Sequence, residues 1–227
     1  MRYKKAYIDS LNLSDRQIES IFFYCQDYVI EAVKTKSTFM PKVWSQTFGR
    51  ALKRNIIEAK IIHTHLGLTL PLKTFSVTPQ TQTVEFAGLH GYNERSTHLQ
   101  QHLQALKQAL AHTRVMRIDI AIDFKQKIPK RVIDHLKKNR EPFRYGNTTY
   151  YKTAKEKKSN QKIDIKIYNK QIQAKLDYPL YRLEFVFKGS YFTKLAFREL
   201  QSVYKKMEKS VYRATGLNVK IESIYAL

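Results

Sequence analysis

One cysteine, Cys25, stands in 227 residues. That excludes a disulfide framework within the chain and zinc sites built on several thiolates. No apolar run approaches 18 residues and no cationic amphipathic helix dominates, so neither a membrane span nor a membrane-surface role is expected. The start, "MRYKKAYIDSLNL", lacks the apolar core of a signal peptide, which points to a soluble, cytoplasmic chain. Acidic residues are also short: 19 Asp and Glu stand against 41 Lys and Arg, a formal net charge of +22. An excess this large favours a polyanionic partner, because neutralising phosphates releases condensed counterions. The 43% apolar content suffices for one large domain, 1–227, with a subdivision near 113 as the alternative.

Repeats and long low-complexity linkers are absent too. "YKKAYID" reads as a first strand. Ser14 and Gln17 resemble a capping box for a helix to about Val33, with Ile18, Ile21, Phe22, Cys25 and Val29 as its apolar face. "NIIEAKIIH", "LGLTLPL" and "TQTVEFAG" read as strands, and Leu99, Leu103, Leu106 and Leu110 place a helix over 97–112. A short helix follows Pro129. "NTTYYKT" and "KIDIKIYNK" form a hairpin with a basic tip, "LYRLEFVFKG" is a strand, 191–215 is a long helix, and "NVKIESIYAL" closes with a strand. The pattern predicts an α+β fold, a largely antiparallel sheet with helices packed on one face.

Three of these strands share an oddity. In "RVMRIDIAIDF", alternation puts Asp119, Ala121 and Asp123 on one face and Ile118, Ile120, Ile122 and Phe124 on the other. "KIDIKIYNK" has Asp164, Lys166, Tyr168 and Lys170 in phase, and "YRLEFVF" has Arg182 in phase with Glu184. A half-exposed antiparallel sheet ordinarily carries polar residues on its solvent face, so each residue alone is unremarkable. As sheet neighbours, the three strands would bring carboxylates, a tyrosine and cations together. Two or three carboxylates can hold a hard divalent cation, Mg²⁺ or Mn²⁺. The cation can polarise a phosphate oxygen, and a tyrosine oxygen can attack phosphorus. A second metal reading rests on His63 and His65, in phase as in the His-hydrophobic-His site of HUH endonucleases, although Thr64 lies between them. His98 and His102 read as the polar flank of their helix.

The order "RIDIAIDF", "YGNTTYYKT", "IKIYNK", "YRLEF" resembles the rolling-circle replication initiators of plasmids and phages, above all the Rep-trans family and the filamentous-phage gene II-type replication proteins. The matching region, 114–188, is about a third of the chain. The resemblance implies a site-specific DNA nickase and strand transferase. Such an enzyme cuts one strand at an origin, keeps the 5′-phosphate on tyrosine and frees a 3′-OH. It implies Tyr168 as nucleophile, Lys170 as its assisting cation, and Asp119, Asp123 and Glu184 as ligands of Mg²⁺ or Mn²⁺. DNA is then the partner, contacted by Arg117, Lys152, Lys155, Lys157, Lys158, Lys166 and Arg182, with a host helicase and polymerase as candidate further partners. The competing class is a non-catalytic basic DNA- or RNA-binding replication regulator. It needs the charge but not the carboxylates, which repel phosphate unless a metal lies between.

The segment "KTAKEKKSNQK" is too charged for a core and is expected to track phosphates. Neutralising Lys155, Lys157 and Lys158 should weaken binding to all sequences and flatten its salt dependence. An unchanged salt slope in a binding titration would remove this loop from the interface.

Overall fold

Isoleucine at every second position builds the strand that the site depends on. Ile118, Ile120 and Ile122 are fully buried on one face of β7 (Arg114–Phe124). Opposite them lie Leu183, Phe185 and Phe187 of β11 (Tyr181–Lys188), which pairs antiparallel with β7 from Tyr181↔Phe124 to Lys188↔Arg117. Each such side chain contributes about 1.5–3 kcal/mol when removed from water. This computed structural model describes residues 3–15, 18, 21, 28–35, 43–44, 56–63, 69–75, 81–90, 94–153 and 163–224.

The chain divides into two compact units. The first holds Met1–Ser10, Arg117–Thr193 and Glu199–Leu227. Its strands run in the order β1 (Lys4–Asp15), β7, β11, β10 (Ile163–Asn169), β9 (Thr148–Lys152), β8 (Glu141–Tyr145), with β12 (Val219–Ile221) parallel to β1. Helices α2 (Lys130–Lys137) and α4 (Tyr204–Thr215) pack on each other. They line cavities together with Phe124 and Ile163, so they lie over the apolar face of this sheet. Val132, Leu136, Met207 and Val211 are their buried residues. The second unit, Leu11–Met116 with Lys194–Arg198, carries β3 (Val43–Trp44), β2 (Tyr28–Thr35), β4 (Ile56–His63), β5 (Thr69–Phe75) and β6 (Thr81–Ala87) in that order, and α1 (Glu94–Ala105). The α+β class and the largely antiparallel pairing are as the sequence patterns predict. Among the described residues no helix is long and apolar enough to cross a membrane.

Four local readings need correction. Ile18 and Ile21 are helical as expected, but Ser14 does not cap that helix: β1 continues through it to Asp15, and its hydroxyl donates to Gln82 O at 2.8 Å. Tyr28–Thr35, expected as the end of that helix, is strand β2 paired with β4; the β-branched run "YVIEAVKT" suits a strand. The helix expected over 97–112 ends at Ala105, and Leu106 and Leu110 are buried in the turns that follow. The helix expected over 191–215 is broken. 3₁₀ turns cover Gly189–Phe192 and Phe197–Val203, and only Tyr204–Thr215 is α-helical. Lys194 sits at φ +57°, and the backbone of Leu195 and Phe197 bonds to Val115 and Thr113, which draws the chain out of helical geometry. Of Leu195, Leu200, Val203, Met207 and Val211, whose spacing sets them on the inner face of the expected helix, all are nonetheless buried except Val203, which is half-buried.

Strand β8, "EPFRY", was not expected, since Pro142 argues against a strand interior. Among the described residues it pairs only with β9, so the missing N–H of Pro142 falls on an edge strand. The connection is a two-residue turn with Gly146 at φ +55° in its first position, a conformation that favours glycine.

Phe185→Ala should cost about 3–5 kcal/mol in a denaturant melt, because Phe185 has no exposed surface and its cavity opens inside the β7–β11 core. A loss below about 1 kcal/mol would mean this face is not packed as described.

Candidate active site

Register turns three sequence phases into one surface. Asp123, Arg182 and Tyr168 lie in one row across β7, β11 and β10, and the row continues to Thr148 of β9 and Tyr145 of β8. The next row is Ala121, Glu184, Lys166, Tyr150 and Phe143. Asp119, Val186 and Asp164 form the third. All point away from the isoleucine face by the pleat of the strands. Asp119, Asp123, Tyr168 and Glu184 therefore share one face, as their phases require.

Within that face the contacts are specific. The Tyr168 hydroxyl donates to Glu184 Oε2 at 2.6 Å, and Lys166 Nζ lies 2.7 Å from Glu184 Oε1. Asp119 receives two hydrogen bonds from Arg117, at 2.7 and 2.6 Å, and shares another with Glu184. Arg182 donates through Nε and Nη2 to both oxygens of Asp123, at 2.8 and 3.0 Å. Its Nη1 lies 3.0 Å from Oδ2 of Asp9, a β1 residue that the sequence reading did not select. Lys188 pairs with Asp164.

Several expected roles meet this geometry differently. Arg182 has no exposed surface, so it cannot serve as a surface contact to DNA phosphate; it is a clamp between two carboxylates. Arg117 keeps partial exposure but is engaged with Asp119. Lys170 is not on the strand with Tyr168. Asn169 caps helix α3 (Lys170–Ala174), its side chain accepting from Ile172 N, and Lys170 opens that helix. Lys170 Nζ lies 5.9 Å from the Tyr168 ring centroid, and Lys166 Nζ lies at the same 5.9 Å. Lys152 is half-buried in β9. Lys155, Lys157, Lys158 and His65 lie outside the described residues, and His63 falls in β4. His98 stands 3.9 Å from Glu94 on α1, while His102 is buried.

Burial dominates the electrostatics. It pushes the Tyr168 hydroxyl above the usual phenol range, and the Glu184 charge that accepts its proton adds to the effect. It pushes Asp119 up to about 7 against the opposing pull of Arg117. Glu184 goes the other way. Burial resists its charge, but Lys166 and the hydrogen bonds from Tyr168 and Asp119 outweigh burial and hold the carboxyl below its usual range. The Asp119–Glu184 pair titrates as a unit, and its proton favours Asp119.

A divalent cation could take the place of that proton. Two buried carboxylates close enough to hydrogen-bond suit Mg²⁺ or Mn²⁺, which commonly use one or two carboxylates and complete their shell with water and phosphate. Asp123, with both oxygens on Arg182, does not complete a three-carboxylate set here. Among the described residues no group of three His, Cys, Asp or Glu side chains is arranged to hold a metal.

The fold is similar to that of a rolling-circle initiator. Superposition on the rolling circle replication initiator protein from Geobacillus stearothermophilus covers 93% of this chain and 85% of that one, with a TM-score of 0.51 and 11% sequence identity. No family model and no curated protein matches the sequence. The likeness read from four short motifs is thus met by a likeness of fold.

The shared proton sets a pH dependence. Asp119 is raised in the folded chain to about 7, against about 3.9 unfolded, so its protonated form stabilises the fold. That stabilisation is full below about pH 4 and is lost as pH rises through 7. Metal-free protein should lose at most roughly 4 kcal/mol from this group between those limits, read as a falling Tm. Asp119→Asn keeps the shape without the titration and should flatten the slope between about pH 4 and 7. A variant with the wild-type slope would show that another group is responsible.

Proposed function

We propose that this chain is a DNA replication initiator that nicks one strand and carries the cut 5′-phosphate on Tyr168. The supporting observation is the 2.6 Å hydrogen bond from Tyr168 to Glu184, set among Asp119, Lys166 and Arg182 on one sheet face. A phenol held this firmly protonated needs a base that takes its proton as the oxygen attacks, and Glu184 is placed for that. The Tyr168 oxygen bonds to phosphorus while the bond from phosphorus to the 3′ oxygen breaks. That oxygen takes a proton from water and leaves as a 3′-OH, the end a polymerase extends. Lys166 and Lys170 offset charge near the ring, and Arg182 holds Asp123 and Asp9 in place. A Mg²⁺ or Mn²⁺ ion bound by Asp119 and Glu184 would supply charge neutralisation at a phosphate oxygen.

The competing reading is a basic regulator that binds DNA without cutting it. Two observations favour it: Arg117 and Arg182 already neutralise Asp119 and Asp123, as a purely structural face would require.

Incubation with supercoiled plasmid and with single-stranded DNA, with Mn²⁺ or with EDTA, separates the two. The nickase gives relaxed product and a covalent protein–DNA adduct, and EDTA removes both. Tyr168→Phe should keep folding and DNA binding but abolish the adduct. Glu184→Gln should slow cleavage by about 10²–10⁴-fold, and Asp119→Asn should weaken its metal dependence. An adduct undiminished in Tyr168→Phe would falsify the assignment of the nucleophile, and metal-independent binding with no cleavage would establish the regulator.

A further inference from the structure

The two rows that hold Tyr168 and Glu184 end on exposed aromatic rings. Tyr145 closes the row of Asp123, Arg182, Tyr168 and Thr148, and it is 74% exposed. Phe143 closes the row of Glu184, Lys166 and Tyr150, and it is 55% exposed. Phe143 and Tyr150 face each other across β8 and β9 with ring centroids 6.4 Å apart and planes tilted by 43°. This hairpin inverts the usual distribution. Its rings Phe143, Tyr145 and Tyr150 stand on the polar face of the sheet, while the charged Arg144 takes the opposite face. Burial of apolar area does not explain rings placed this way, because both β8 rings remain in water.

We infer that Phe143, Tyr145 and Tyr150 form a stacking platform for unpaired bases of a DNA strand that crosses the sheet face from Tyr168 toward the β8 edge. The inference rests on the nickase reading and adds to it the residues that hold the flanking nucleotides. Aromatic faces accept any base, and the adjoining cations suit the phosphates between bases. Lys166 lies beside Tyr150 in the same row, and Lys152 stands on the same face of β9, opposite Glu141. Tyr145 is two strands from Tyr168, about 10 Å at ordinary strand spacing. A stacked strand covers that distance in about three nucleotides at about 3.4 Å each. Bases inside a duplex do not present their faces, so the platform selects melted or single-stranded DNA.

Fluorescence anisotropy with a labelled thymidine oligonucleotide of about 15 nucleotides, and with the same backbone lacking bases, tests the platform. The double variant Phe143→Ala/Tyr145→Ala should bind the base-bearing strand about 30-fold more weakly, or worse, with an unchanged salt slope, since no charge is removed. Wild type should lose more affinity on the abasic strand than the variant does, and the variant should keep only the part of the base preference that Tyr150 supplies. Phe143→Leu/Tyr145→Leu keeps apolar bulk on the edge strand and removes the π-faces. It should behave as the alanine pair does, which separates stacking from damage to the hairpin. Wild-type binding in either double variant, or an equal loss on base-bearing and abasic strands, overturns the platform. Because the readout is binding, a protein that never forms a tyrosyl adduct but shows the base-dependent loss retains the platform and loses the nickase reading. An intact adduct with no base-dependent loss does the reverse.

Discussion

A guanidinium without exposed surface, Arg182, holds the candidate site together. It reaches from β11 to Asp123 on β7 and to Asp9 on β1, at 2.8–3.0 Å in each contact. Burying a charge costs several kcal/mol, and paired carboxylates with good geometry offset that cost. Removing one partner from such a group costs about 3–5 kcal/mol, because the remaining charge is left in a place water does not reach. The pair Arg182↔Asp123 is also a direct register pair of β7 and β11. A slip of one residue would send Arg182 into the isoleucine and phenylalanine layer, so the clamp penalises every register but the observed one. The rows that bring Tyr168 beside Glu184 exist only in that register.

The clamp also decides which carboxylates remain for chemistry. Asp123 and Asp9 are committed to Arg182, and Asp164 to Lys188. Asp119 and Glu184 are left as neighbours, balanced by Arg117 and Lys166 but close enough to share a proton. Burial raises Asp119, with a smaller push from the Glu184 charge, while Lys166 and hydrogen bonds from Tyr168 and Asp119 hold Glu184 low. The lowered member is the one that contacts Tyr168, so the phenol donates to an ionised carboxylate.

Much of this was legible because strand phase is a strict rule. Period-two alternation alone predicted that Asp119, Asp123, Glu184 and Tyr168 share a face once β7, β11 and β10 adjoin. The rule fails where strands stop. Lys170 keeps the period in sequence, but Asn169 caps a helix and takes it off the strand. Phase also says nothing about depth. Arg182 in "YRLEFVF" looks like a DNA contact by residue type, yet the apolar neighbours that flank it mark a strand buried on both faces. Asp9 went unselected because a lone carboxylate in "YKKAYIDS" carries no motif; its meaning comes from β1 lying beside β7, which is a matter of topology. The cap read at Ser14 and the helix end read near Val33 fail for a similar cause. A capping pattern is local, and β2 forms because the distant strand β4 pairs with it.

On the nickase reading, the raised pKa of Tyr168 is an asset of the site. A free phenolate on the exposed face of a strongly basic protein would meet phosphates wherever the chain touched DNA. Here the hydroxyl is buried, hydrogen-bonded and strongly disfavoured as an anion. Its proton leaves toward Glu184, and positive charge gathered beside the pair favours the phenolate that results. The same burial that makes Tyr168 a poor nucleophile at rest therefore ties its activation to the arrival of charge at Asp119 and Glu184. Binding by the basic surface, which is indifferent to sequence, is separated in this way from cutting, which requires the phosphate, the cation and the tyrosine to meet in the rows that Arg182 keeps in register.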